Sequence, residues 1–390
     1  MSQELQAVSP KTALQLIKVC MNSGRPVMLS GSPGIGKSDL MEQIGKSYEK
    51  RDKEDNVTFP ARPVIDMRLL LMEPTDIKGI PFYNQETKTM KWAQSSELPT
   101  KENGLENAIL FLDEINAAPP SVQAAAYQLV LNRRVGEYIL PDGVSIVAAG
   151  NKESDRGVVY RMPSPLANRF IHMDLEVKFE DWQEWALLNG IHEDVVGFLS
   201  KHSQKLFNFD PKSNQKAFAT PRSWAFVSDT LKEAERTGLE ESMMNIIISG
   251  TVGAGLATEF NQHRRYAAQL PDPIDVLQGK VRNLNCTEVS AHYSLVISLC
   301  YRLKELHGIS ELPANKRSER FAKLDNDEWH AYVDNFFKFM LDNLQPEMVI
   351  LGSTTALREN MFGLPINHKN KNIKNFKEIY REYGDMILGN

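Results

Sequence analysis

The run Gly31-Ser32-Pro33-Gly34-Ile35-Gly36-Lys37-Ser38 fits the pattern GxxxxGK followed by Ser or Thr, and it constrains the fold through its surroundings. Before it, Pro26-Val27-Met28-Leu29-Ser30 reads as a strand. Behind it, Leu40, Met41, Ile44 and Tyr48 recur at helical spacing. Strand, glycine-rich turn and helix in that order imply a phosphate cradle. Gly31, Gly34 and Gly36 let the backbone turn its N–H groups toward phosphate oxygens, and the helix points its positive end at the same charge. The pattern implies a bound nucleoside triphosphate, with Lys37 on the β/γ-phosphates and the Ser38 hydroxyl on Mg²⁺.

The chain has 390 residues, room for roughly two or three domains, and its 42% hydrophobic content supplies their cores. A formal charge of -5 neither demands nor excludes nucleic acid, because a local basic channel vanishes in the sum. Cys20, Cys286 and Cys300 lie far apart without metal-ligand spacing, which suggests buried thiols in a reducing compartment. No signal-peptide pattern opens the sequence and no apolar run is long enough to span a membrane, so a cytoplasmic location is expected.

Up to about residue 177, short apolar runs alternate with helical patterns, which predicts an α/β layer with a largely parallel sheet. The candidate strands are Val27–Leu29, Val64–Met67, Ala108–Leu112, Ser145–Ala149 and His172–Leu175. Beyond that point helical patterns take over, with loops around Pro271-Asp272-Pro273 and Leu312-Pro313.

A second motif decides the class. Ala108-Ile109-Leu110-Phe111-Leu112-Asp113-Glu114 is a continuous apolar strand ending in two carboxylates, a Walker B pattern. One carboxylate, Asp113, suits the metal; the next, Glu114, suits orientation and deprotonation of the attacking water. A GTPase is the competing reading, because Asp76-Ile77-Lys78-Gly79 fits DxxG and Asn151-Lys152 begins like NKxD. The guanine-reading carboxylate would then belong at Ser154, and Asp155 comes one residue late. Asn151 is better explained at the tip of the strand Val144–Gly150, beside the Walker B strand, where its amide can reach the water and γ-phosphate. A turn-capping Asn is the alternative.

With these features in order, the chain resembles an AAA+ ATPase of the MoxR-like group over roughly residues 8–260. The resemblance implies a P-loop core with a parallel five-stranded sheet at 1–177, an all-α lid at 178–261 and a helical C-terminal region at 262–390. Residues 67–99 resemble a hairpin insertion in the second helix, and residues 134–143 the hairpin before sensor 1, the position Asn151 would hold. The segment Met162–Phe170 is similar to the family's arginine-finger stretch. Arg169 would then act on a neighbouring subunit's nucleotide, against the alternative of an ordinary surface Arg. Ala219-Thr220-Pro221-Arg222-Ser223-Trp224 resembles sensor 2, with Arg222 at the start of a lid helix. The alternative there is a Thr-capped helix with a solvated Arg.

The resemblance further implies ATP and Mg²⁺ as cofactors and a homo-oligomeric, hexameric ring. The ring would remodel a protein partner, which in this group is commonly a von Willebrand factor A protein. A nucleic-acid-associated motor or defence component and a nucleotide-gated scaffold are the alternatives. Phe336-Phe337-Lys338-Phe339-Met340 is expected as a helix buried against the lid, and Lys369, Lys371, Lys374 and Lys377 as a solvated basic cluster.

Overall fold

The computed structural model describes residues 6–52, 56–155, 160, 162–308 and 324–388. The Leu312-Pro313 loop lies outside the described residues. The chain divides into two compact units, one of residues 1–178 with 209–214, the other of residues 179–208 with 215–390.

The first unit contains strands β1 (Ala7–Val8), β2 (Val27–Ser30), β3 (Lys50–Arg51), β4 (Val57–Phe59), β5 (Val64–Arg68), β6 (Ile80–Asn84), β7 (Thr89–Ala93), β8 (Ile109–Asp113), β9 (Arg134–Val135), β10 (Tyr138–Ile139), β11 (Ser145–Gly150) and β12 (Ile171–Leu175). Six of them form one parallel sheet in the order β1-β12-β2-β11-β8-β5. All five expected strands are present. The sixth, β1, adds to the edge by pairing Ala7 with Asp174 and Val8 with Leu175; two residues carry too little periodicity to announce a strand.

Continuous apolar runs mark strands covered on both faces. Accordingly β8 is buried throughout, as are Val27–Leu29 of β2 and Ile146–Gly150 of β11. Around the sheet run α1 (Pro10–Asn22), α2 (Lys37–Lys46), α3 (Pro74–Lys78), α4 (Pro120–Asn132) and α5 (Ser164–Ala167). Val122, Ala125, Ala126 and Leu129 of α4 pack into the same core as Leu110, Leu112 and Ile146. Parallel register sets the strand ends side by side: Ser30 opposite Gly150 and Asp174, and Arg68 opposite Asp113. The carboxyl edge of such a sheet is where a ligand crevice forms.

Two hairpins leave this core. Strands β6 and β7 pair antiparallel from Ile80–Ala93 to Asn84–Thr89, within the expected insertion. Strands β9 and β10 pair within the second expected hairpin, as a shorter element over 134–139. Gly136, with φ +56, sits where an added Cβ would come 3.8 Å from Trp92 and 3.7 Å from the Lys78 carbonyl, so the turn of the second hairpin meets the base of the first. Asp76 of the DxxG-like stretch caps α3 instead, accepting from the Glu73 N–H at 2.7 Å.

The second unit is helical: α6 (Phe179–Leu188), α7 (Glu193–Lys201), α8 (Pro221–Thr237), α9 (Glu241–Val252), α10 (Ala254–Ala267), α11 (Pro273–Leu277), α12 (Val289–His307), α13 (Asn326–Asn343), α14 (Pro346–Leu357) and α15 (Phe376–Leu388). Gly197 lets α7 approach α12, since a Cβ there would lie 2.6 Å from the Ser294 backbone nitrogen. Phe198, Trp224 and Phe260 form an aromatic centre with ring centroids 5.3 to 5.7 Å apart. Phe336, Phe337, Phe339 and Met340 are buried and Lys338 is exposed, but the main neighbours of α13 are α11, α12, α14 and α15 of the C-terminal region itself.

Candidate nucleotide site

The cradle is the turn from β2 into α2. Gly34 and Gly36 have φ of +76 and +92, backbone that side-chain-bearing residues rarely adopt. Gly31 is closely packed: a Cβ there would meet the tip of the Ile35 side chain at 2.4 Å and Leu175 Cβ at 3.3 Å. Helix α2 begins at Gly36 without a side-chain cap, so its first-turn N–H groups are left for an anion. Among Ser32, Pro33, Gly34 and Ile35, the Ser32 hydroxyl is tied down, donating to Asp155 Oδ1 at 3.3 Å.

Side chains from three strands' ends converge on this turn. Lys37 Nζ donates to the carbonyls of Gly31 (2.7 Å) and Ser32 (3.1 Å) and to Asn151 Oδ1 (3.2 Å). The Ser38 hydroxyl donates to Asp113 Oδ2 at 3.3 Å, which joins the two expected metal ligands. Asp113 is 9% exposed, and its other oxygen accepts the Glu114 N–H at 2.8 Å. Glu114 itself has φ +55, a conformation that costs a non-glycine residue about 1–3 kcal/mol and is typical of strained functional turns. It is held there by Ala117 and Ala118, whose N–H groups donate to the Glu114 carbonyl, and by the neighbouring Ile115 N–H bonding the Ala149 carbonyl.

The donor set fits a magnesium–nucleotide complex. Mg²⁺ keeps several waters and takes one or two protein oxygens plus substrate phosphates. Ser38 and Asp113 supply such a pair, and among the described residues no cluster of three His, Cys, Asp or Glu is built for a metal bound by protein alone. When bound, the ion neutralises charge on the β- and γ-phosphate oxygens.

Two further residues expected at the site are Arg169 and Arg222. Arg169 follows α5 on an exposed turn, and its side chain makes no hydrogen bond or ion pair with the described residues. Arg222 lies in the first turn of α8, exposed, behind a capping box in which Thr220 and Ser223 satisfy each other's backbone N–H groups. It belongs to the second unit.

Sequence reading missed three residues at the site. Asp66 of β5 is paired with Arg68, whose Nε lies 3.4 Å from its carboxylate; burial and the nearby Asp113 charge push the Asp66 carboxyl upward. Asp155, one residue late for a guanine reader, instead buttresses the cradle through Ser32. Asn116, 7% exposed, donates from Nδ2 to the Asn151 carbonyl at 2.7 Å. The available signal was a polar residue between Ile115 and Ala117 in an otherwise apolar run just past the paired carboxylates.

A parallel sheet with this cradle and a buried Walker B strand defines a P-loop AAA+ core followed by a helical region. Residues 26–170 match the family described as the AAA domain, dynein-related subfamily. Over 189 residues it is 25% identical to midasin of Giardia intestinalis, a match covering 46% of this chain and 4% of midasin. Among solved structures it is similar to a point mutant of RuvB from Thermotoga maritima, at 15% identity and TM-score 0.33, covering 69% of this chain and 74% of that one. It is likewise similar to NtrX from Brucella abortus, at 12% identity and TM-score 0.32, covering 67% and 69%. TM-scores of this size carry no functional argument.

Proposed function

We propose that the chain works as one subunit of a MoxR-like homo-oligomeric ring, hexameric in form, that hydrolyses ATP to remodel a protein partner such as a von Willebrand factor A protein. The carrying observation is an asymmetry in the site. Lys37 is bonded to Asn151 and Ser38 to Asp113, while the exposed Arg169 side chain makes no bond to a described residue, as a group serving another copy's nucleotide would be. Lys37 and the cradle hold the triphosphate. Glu114 takes the proton of the attacking water, Asn151 orients that water, and Arg169 from a second copy stabilises charge on the transferring phosphoryl group. Arg222 supplies the sensor 2 charge toward phosphate, of its own copy's nucleotide or of a neighbouring copy's.

The inserts support a protein partner. Ile80, Tyr83 and Met90 of the β6–β7 hairpin and Ile139 of the β9–β10 hairpin are 58 to 71% exposed, an apolar rim of the kind that marks a contact surface. If the site is shared, turnover per subunit rises with protein concentration as subunits associate. Turnover per subunit that stays flat across a dilution series dissociating the oligomer contradicts the proposal.

A further inference from the structure

We infer that Asn116 is a positioning residue for ATP hydrolysis, one that fixes Asn151 against the turn carrying Glu114. The inference rests on the role proposed above for Asn151.

Strands β8 and β11 pair in register through Leu112 and Ala148, and each ends within two residues of that pair, at Asp113 and at Gly150. Glu114 follows one strand and Asn151 the other, and the proposed mechanism has both face one water molecule. Beyond the ladder, two bonds keep them in step. Ile115 N–H donates to the Ala149 carbonyl at 3.0 Å, and Asn116 Nδ2 donates to the Asn151 carbonyl at 2.7 Å. The Asn116 carbonyl also accepts the Tyr160 N–H at 2.6 Å, drawing the segment before Arg169 to the same point.

The fit around the amide is tight. A Cβ built on Gly150 would lie 2.3 Å from Asn116 Oδ1 and 2.7 Å from its Cγ, so the amide occupies the space a side chain at position 150 would need. Asn116 Oδ1 is buried with no hydrogen-bond partner among the described residues. A buried unpartnered oxygen is unfavourable, and an apolar side chain would avoid it. What the amide provides is the donor to Asn151, whose own Oδ1 receives Lys37 Nζ. Asn116 thus connects the Walker B turn, the Asn151 loop and the phosphate-binding lysine without itself reaching the reacting atoms.

Two substitutions break this link in different ways. Asn116→Asp keeps the shape but turns an oxygen toward the Asn151 carbonyl. Gly150→Ala keeps the amide but places a methyl where Oδ1 sits. Each is expected to lower kcat about 10- to 100-fold, the scale of a small misplacement of reacting groups, while KM for ATP changes less than about threefold because every residue of the cradle, and the Gly150 carbonyl that accepts the Gly31 N–H, is retained. In an Asn151→Ala background, Asn116→Asp should change kcat less than about twofold, because its route of action is gone. An undiminished loss in that background, or a KM that rises in step with the fall in kcat, overturns the inference. An Asn151→Ala enzyme with unchanged kcat overturns the role of Asn151 instead. If Asn116→Asp does not fold, Gly150→Ala carries the same comparison.

Discussion

At Lys37, one ammonium group holds two loop carbonyls and the Asn151 amide, so the cradle is preorganised for negative charge. Removing that charge by Lys37→Ala should abolish ATP binding. Glu114 is a different case: it is partly exposed on a turn where its φ is +55, and the proposed mechanism assigns its carboxylate to the water, not the phosphate. Glu114→Gln keeps size and shape but accepts a proton poorly. It should lower kcat by about 10²- to 10⁴-fold with ATP affinity retained, the scale of losing a general base. Steady-state turnover and calorimetric ATP titration of the two variants check both outcomes; loss of ATP binding in Glu114→Gln would contradict the assignment.

Among the elements, helices α10 and α12 are joined by a buried His263, whose Nε2 lies 2.9 Å from Ser294 Oγ while its ring packs on Phe198 and Phe260. Burial, aided by the His202 and Arg264 charges and opposed by Glu288, lowers its pKa from 6.5 to about 4. Between those values the unfolded chain binds the extra proton and the folded chain does not. This contribution is therefore complete above about pH 6.5 and is lost as pH falls toward 4, up to about 3 kcal/mol. Urea midpoints at pH 7.5 and 4.5 should fall less in His263→Gln than in the parent; equal falls would contradict the assignment. Elements of this kind differ in how legible they were. Strands β2, β8 and β11 were visible because both faces are covered, leaving unbroken apolar runs. Strand β1 was not, since its two residues become a strand by joining β12, far away in sequence. Lys37, Ser38 and Asp113 were legible because phosphate and metal chemistry demands those groups at fixed local spacing. Asn116, Asp66 and Asp155 were not, because each matters through a neighbour that the folded sheet supplies.

For the whole molecule, the central proposal is that one folded chain does not complete its own hydrolytic site. Lys37 and Arg169 differ in the expected manner: the first is bonded into the cradle, while the side chain of the second is exposed after α5 and makes no bond to the described residues. The direct test is to co-assemble Lys37→Ala with Arg169→Ala, two variants each nearly inactive alone. A shared site predicts that an equal mixture recovers turnover, because about a quarter of random interfaces then join an intact lysine to an intact arginine. A mixture no more active than its two components would contradict it.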